Sequence, residues 1–190
     1  MEFENVPYYI KNMIYEFYTK YGKRILPTRT YIRSMTVVLE KTGKKNLNGV
    51  EIGVDHGFNA KTILENLSIN KLYLIDVKFK KKTIQRLSKY RNKTKFIEKY
   101  SDKAAADVPN NLDFVYIDGG HDYDCVKKDI ELYYPKVKKD GIFGGHDFDA
   151  NHMEICRAVF EFVQKNNLKL NGKNSDWWIV KGEKKKKLVN

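Results

Sequence analysis

From Asn48 onward, short apolar runs alternate with segments whose apolar residues recur every three or four positions. The first pattern marks strands and the second marks amphipathic helices. Together they predict strand 49–54, helix 59–67, strand 71–77, helix 80–90, strand 94–99, a short helix 101–107, strand 112–118, helix 123–135, strand 140–146 and helix 152–166. LYLID (72–76) and LDFVYID (112–118) are almost unbroken apolar runs, as strands covered on both faces must be. The alternation implies an α/β, doubly wound, mostly parallel sheet with ligands at the carboxyl ends of its strands. The stretch LKLNGKNSDWWIVKG (168–182) instead holds two short strand-like runs around Asn171 and Gly172, a closing antiparallel hairpin. Trp177 and Trp178 alternate faces there, one for the core and the other for a pocket wall. Upstream, residues 2–20 and 28–41 read as two helices separated by Gly22 and Pro27, with Ile10, Met13, Ile14 and Phe17, then Ile32, Met35, Val38 and Leu39, on their apolar faces.

Composition narrows the class. At 190 residues with 42% hydrophobic content the chain buries one substantial core, so a single main domain is expected over residues 46–182, with an N-terminal helical segment (1–45) packed on it and a basic tail (183–190). Cys125 and Cys156 are too few for a disulfide framework and lack metal-knuckle spacing. No apolar run reaches membrane-span length, and MEFENVPYYIKNM carries acids where a signal peptide carries basic and apolar regions, so a soluble, cytoplasmic protein is expected. The net charge of +12 raises nucleic acid as a partner. The lysines are spread along the chain, however, and the dense clusters KFKKK (78–82) and KKKK (184–187) read as solvated surface and tail. The aromatic residues Phe3, Tyr8, Tyr9, Phe17 and Tyr18 exceed what one helix face needs and suit a homo-oligomer contact.

Five consecutive strands deliver polar residues or glycines to one rim: EIGVDHG after the first, Asp76 at the end of the second, Ser101 and Asp102 just beyond the third, DGGH (118–121) after the fourth and GGHD (144–147) after the fifth. Turns and helix caps explain any one of these loops. They strain as an explanation of all five. Gly53 and Gly57 let the backbone pass close to a ligand, while Glu51 and Asp55 are acceptors, the wrong sign for pyrophosphate and the right one for an ammonium, a sulfonium or a sugar hydroxyl. Asp76 lies 23 positions after Gly53, near the spacing at which an acid accepts from ribose hydroxyls. The ligand expected is a nucleoside without phosphate.

VEIGVDHG, LYLID and above all FVYIDGGHDYDCVKKDIELYYPKVKKDGIFGGHDF resemble the class I S-adenosylmethionine-dependent methyltransferases, in particular the small O-methyltransferases of the catechol and macrolide-sugar type, over about residues 48–182. The resemblance implies a Rossmann-like fold and S-adenosylmethionine as cofactor. It places Glu51, Gly53 and Gly57 around the methionine moiety, Asp76 on the ribose, and Ser101 and Asp102 beside the adenine, with Asp55 and Asp118 also counted among the cofactor-binding residues. It further implies a divalent cation, magnesium or another, on Asp118, His146 and Asp147, with Asp118 and His121 as catalytic residues and His121 as general base. His146 stands where metal-dependent relatives carry a carboxylate, and imidazole suits magnesium poorly.

Other readings stay open beside these. Asp118 as a helix cap is redundant, since Asp122 and Asp124 already serve the first turn of the next helix. His121 can also be read as a surface histidine, His146 and Asp147 as turn residues, and His56 and His152 as substrate contacts or bystanders. The acceptor expected is a small molecule or sugar bearing a hydroxyl. The alternatives are RNA ribose methylation, which would use the positive charge, and a noncatalytic nucleotide-binding module, which would have no need of DGGH and GGHD.

Overall fold

The computed structural model describes residues 32–185. The helix expected over 2–20, the start of that expected over 28–41, the aromatic positions from Phe3 to Tyr18 and the end of the basic tail lie outside the described residues. Within them, α1 (Ser34–Lys41) precedes β1 (Leu47–Ile52), α2 (Phe58–Asn66), β2 (Ile69–Asp76), α3 (Lys81–Leu87), β3 (Thr94–Glu98), α4 (Ser101–Ala104), β4 (Leu112–Ile117), α5 (Tyr123–Tyr133), β5 (Val137–Gly145), α6 (Met153–Lys165), β6 (Asn171–Lys173) and β7 (Asp176–Val180). The strands form one sheet in the order β3-β2-β1-β4-β5-β7-β6. The first five are parallel, and β7 runs antiparallel to both β5 and β6.

All six residues of β4 are buried, as its apolar run requires. Successive side chains divide between two cores. Val115 and Ile117 join Val50, Ile52 and the inner faces of α5 and α6, while Phe114 and Tyr116 join Leu72, Leu74, α1 and α2. α1 contributes Met35 and Leu39 to the second core. Among the described residues no helix is long and apolar enough to cross a membrane.

Three features differ from the sequence reading. β5 starts at Val137, not at 140, because Val137 pairs with Leu112 before the register shifts and Ile142 pairs with Phe114. The C-terminal hairpin turns at Asn174 and Ser175, both at positive φ (51° and 62°), with Asn171 and Gly172 inside β6. That pair adopts the left-handed geometry that twisted two-residue hairpins demand. Trp177, fully buried against Phe143, also lines the cleft beside Asp118, whereas Trp178 packs on the opposite core.

Candidate functional site

The loop after β1 is a backbone construction. Gly53 (φ 81°), Asp55 (φ 44°) and Gly57 (φ 71°) are all left-handed, which winds the chain tightly between β1 and α2. A Cβ on Gly53 would lie 2.0 Å from the Asp118 carbonyl oxygen, so only glycine lets the ends of β1 and β4 meet here. Asp76 holds the loop in place: its Oδ2 accepts from the amides of Val54 (2.9 Å) and Asp55 (2.8 Å) and its Oδ1 from Lys78 (3.2 Å). The half-buried Oδ1 keeps acceptor capacity for a ligand hydroxyl.

Glu51, 1% exposed, accepts from Asn59 Nδ2 at 3.1 Å. Burial first, then the negative charge of Asp118, pushes its carboxyl up to about 8. Glu51 Oε2 and Asn59 Oδ1 are buried without a hydrogen-bond partner among the described residues. Two orphaned buried polar atoms are costly unless a partner meets them, and an ammonium group, whose three N–H donors would also favour release of the Glu51 proton, fits that need. Asp55 is engaged elsewhere, pairing at the surface with Lys80 and lying 3.7 Å from His56.

At the next strand end, α4 opens with Ser101 and Asp102. Ser101 donates to the buried Asp129 carboxyl, which burial pushes up to about 6, and its carbonyl accepts from Tyr133 at 2.6 Å. Asp102 pairs with Lys128 at 2.8 Å. Asp122 caps α5 by accepting from Cys125 at 3.0 Å, which leaves Asp118 free of any capping duty.

The loops after β4 and β5 bring Asp118, His121, His146 and Asp147 together. Asp147 takes a left-handed conformation (φ 58°), turning the chain sharply past His146. Its two oxygens reach two imidazoles, His146 Nδ1 at 2.6 Å and His121 Nε2 at 3.1 Å. Burial opposes ionisation of Asp147, yet the hydrogen bond from His146 and the neighbouring imidazoles outweigh it and hold the carboxyl below the usual range. Burial raises Asp118, against the charges of Arg33 and His146. His152 stacks edge-on to His121 at 5.1 Å and is held by Asp149 at 3.0 Å. The narrow cleft between these loops is lined by Asp118, Gly120, His121, His146, Asp147 and Trp177. A larger groove of ≈ 520 Å³ lies between α5 and α6, lined by Lys127, Ile130, Tyr134 and Phe162, away from the strand ends.

Donor atoms of Asp118, His146 and Asp147 lie within 4.8 Å of one another, as a cation site requires. The guanidinium of Arg33, however, lies 3.4 Å from Asp118 Oδ2 and against His146 Nε2. Arginine only donates, so Nε2 is the accepting nitrogen and Nδ1 carries the proton given to Asp147. Neither ring nitrogen of His146 then has a lone pair for a metal, and these residues as arranged do not fit a divalent cation. Arg33, Asn59 and Asp129 escape sequence reasoning, since Arg33 reaches the rim from a distant element and Asn59 and Asp129 are helical polar residues whose spacing carries no sign of their burial.

Residues 50–148, just over half of the chain, match a family described as a methyltransferase domain. The chain belongs to this family. Its fold is that of the class I S-adenosylmethionine-dependent methyltransferases. A 118-residue stretch is 31% identical to the uncharacterized protein R132 of Acanthamoeba polyphaga mimivirus, covering 55% of this chain and 53% of the viral one. The methyltransferase thus spans about half the length of that curated relative. Among solved structures, a Staphylococcus aureus protein provisionally assigned as a caffeoyl-CoA O-methyltransferase superposes with a TM-score of 0.62 at 18% identity, covering 90% of this chain and 91% of that one. MycE, a methyltransferase of mycinamycin biosynthesis solved with Mg and SAH, gives 0.58 at 14% identity over 92% of this chain and 56% of its own. An rRNA methylase from Streptococcus thermophilus gives 0.59 at 18%, covering 76% and 91%.

Proposed function

We propose that this methyltransferase transfers the methyl group of S-adenosylmethionine to a hydroxyl oxygen, with His121 as proton acceptor. The observation that carries the reading is the His121–Asp147 pair at 3.1 Å on the rim, with the imidazole half exposed. A carboxylate that binds Nε2–H fixes the tautomer and leaves the lone pair on Nδ1 to receive a proton, the arrangement of base and orienting acid that hydroxyl activation needs. An acceptor hydroxyl has a pKa far above neutrality, and methyl transfer is an in-line displacement, so the base and the alignment must be supplied together.

The cofactor's place follows from the first loop. Glu51 Oε2 and Asn59 Oδ1 would take its ammonium, Gly53 and Gly57 would admit the methionine chain, Asp76 Oδ1 would accept from the ribose, and the α4 start at Ser101 and Asp102 would border the adenine. S-adenosylmethionine supplies the electrophilic methyl carbon when bound. No step is assigned to a divalent cation, because Arg33 holds the position the resemblance reserves for one.

The test is S-adenosylhomocysteine release across a panel of hydroxylated small molecules, with calorimetry for the cofactor. Methyl recovered on oxygen, and lost in His121→Ala, supports the reading; methyl recovered on nitrogen or carbon, or NAD bound more tightly than S-adenosylmethionine, overturns it. One observation favours a second reading, the ribose hydroxyl of RNA. Lys78, Lys80, Lys81 and Lys82 are exposed beside the end of β2, on the rim that carries the site. Binding of single-stranded RNA that falls steeply with salt would support that acceptor.

A further inference from the structure

We propose that Arg33 is the built-in cation of this site and excludes a divalent ion from Asp118, His146 and Asp147. The contacts come first. The guanidinium bridges the ends of two strands, reaching Asp118 after β4 and His146 after β5. In doing so it takes the one lone pair of the His146 ring that Asp147 leaves over. A metal ion would have to displace Arg33 from both partners.

Displacement is opposed by how Arg33 is held. It stands at the N-cap of α1, a helix with no side-chain cap of its own. The missing cap comes from β7: Asp176 Oδ2 accepts from the Met35 amide at 2.9 Å, and Tyr116 fixes the other oxygen at 2.8 Å. Met35 is 1% exposed and Asp176 equally so. The guanidinium therefore projects from an anchored helix start and not from a flexible tether. It is also enclosed, with its side chain 16% exposed and that of Asp118 20%. In such surroundings the paired charges are weakly screened. Arg33 is the positive centre for Asp118, Asp176 and Glu51 alike, each of which burial raises and its charge lowers. Removing it would leave clustered acids that a divalent cation then satisfies. Arginine suits the task because its planar fork donates in two directions at once and does not deprotonate.

The experiment is Mn²⁺ titration of the full chain, followed by electron paramagnetic resonance and by thermal melting, with no cofactor or acceptor present. The wild type is expected to show no saturable Mn²⁺ site that Asp118→Asn removes; binding to the neighbouring His121, Asp147 and His152 group, which Arg33 does not touch, would be lost in His152→Ala and kept in Asp118→Asn. Arg33→Met, which keeps the apolar stem, is expected to gain a saturable site that Asp118→Asn removes again. Arg33→Lys, whose ammonium meets Asp118 or His146 but not both, should also gain a saturable Mn²⁺ site that Asp118→Asn removes, weaker than that of the Met variant, and it carries the test if the Met variant does not fold. Saturable Mn²⁺ binding by the wild type that Asp118→Asn abolishes would overturn the proposal. So would a folded variant at Arg33 that gains none. Because the readout is metal binding, failure of S-adenosylmethionine to bind would sink the proposed function and leave this inference standing, and the reverse holds equally.

Discussion

The loop after β1 and the loops after β4 and β5 share one rim but are built in opposite ways. The first is shaped by backbone: three left-handed residues within five positions, a glycine that no side chain can replace, and one carboxylate, Asp76, gripping two amides of the loop. The others are shaped by side chains that meet across the chain: Arg33 with His146, Asp118 with Arg33, Asp147 with His121. A backbone template tolerates little change because its geometry is also the geometry of the fold. A side-chain cluster is held by a few directed contacts, so its members can change with less cost to folding and a larger cost to chemistry. If the proposed reading holds, substitutions in the loop after β1 should therefore register as stability and cofactor affinity, and those in the loops after β4 and β5 as turnover.

The sharpest test of that contrast is His121→Ala. Turnover of an accepted hydroxyl compound should fall roughly 10²- to 10⁴-fold while the calorimetric affinity for S-adenosylmethionine stays within twofold or so of wild type. A variant that loses both would dissolve the distinction. Next comes Gly53→Ala, where left-handed strain and the collision with the Asp118 carbonyl combine to about 2 to 5 kcal/mol of lost stability, read from denaturant melts. Gly119→Ala, whose added Cβ finds its nearest neighbour 3.4 Å away, serves as the control on the acceptor side and should melt nearly as the wild type.

Asp76→Ala leaves the Val54 and Asp55 amides without their carboxylate. Cofactor binding should weaken by about 1.5 to 3 kcal/mol, the range for hydrogen bonds to a charged group; unchanged affinity would show that the loop holds itself. Glu51 gives a smaller, pH-linked effect. With its carboxyl raised from 4.5 to about 8, the folded chain holds a proton that the unfolded chain has released, so stability contributed by this group declines as pH rises through that window. Glu51→Gln should flatten that part of the stability profile. Cofactor binding near neutrality should release about one proton from Glu51, measured by calorimetry in buffers of different ionisation enthalpy. Smallest of all, Asp55→Asn touches only an exposed pair with Lys80 and should shift stability by no more than about 0.5 kcal/mol. A large loss of cofactor affinity there would return Asp55 to the binding site.

Read from periodicity, the five parallel strands and their intervening helices lie within a few residues of their observed places, because each must present an apolar run or stripe of fixed period to a core. The polar rim was equally legible, since strands of a parallel sheet all end on the same edge. Glycine and acid spacing in EIGVDHG also spoke directly to backbone geometry, and Asp76 sat where an acid meets that loop. The hairpin turn was misplaced because Asn171 and Gly172 look like turn residues, and only pairing with β7 decides that Asn174 and Ser175 make the turn.

What sequence alone determined, then, is what local period and short-range stereochemistry govern: the element order, the parallel sheet, the tight first loop and the polar residues that the strand-end loops themselves bring to the rim. Tertiary structure decided how those residues are used. Sequence shows no reason for α1 to begin at Arg33, because its cap is Asp176, more than a hundred residues away, and the helix start carries the guanidinium to His146 across a separation of 113. Nor does it show that Asp147 divides its oxygens between two imidazoles, which makes one residue of the expected metal set the partner of both His146 and His121. Hydrogen bonds and ion pairs act over a few ångströms in space, and chain spacing says nothing about which side chains the fold will bring that close.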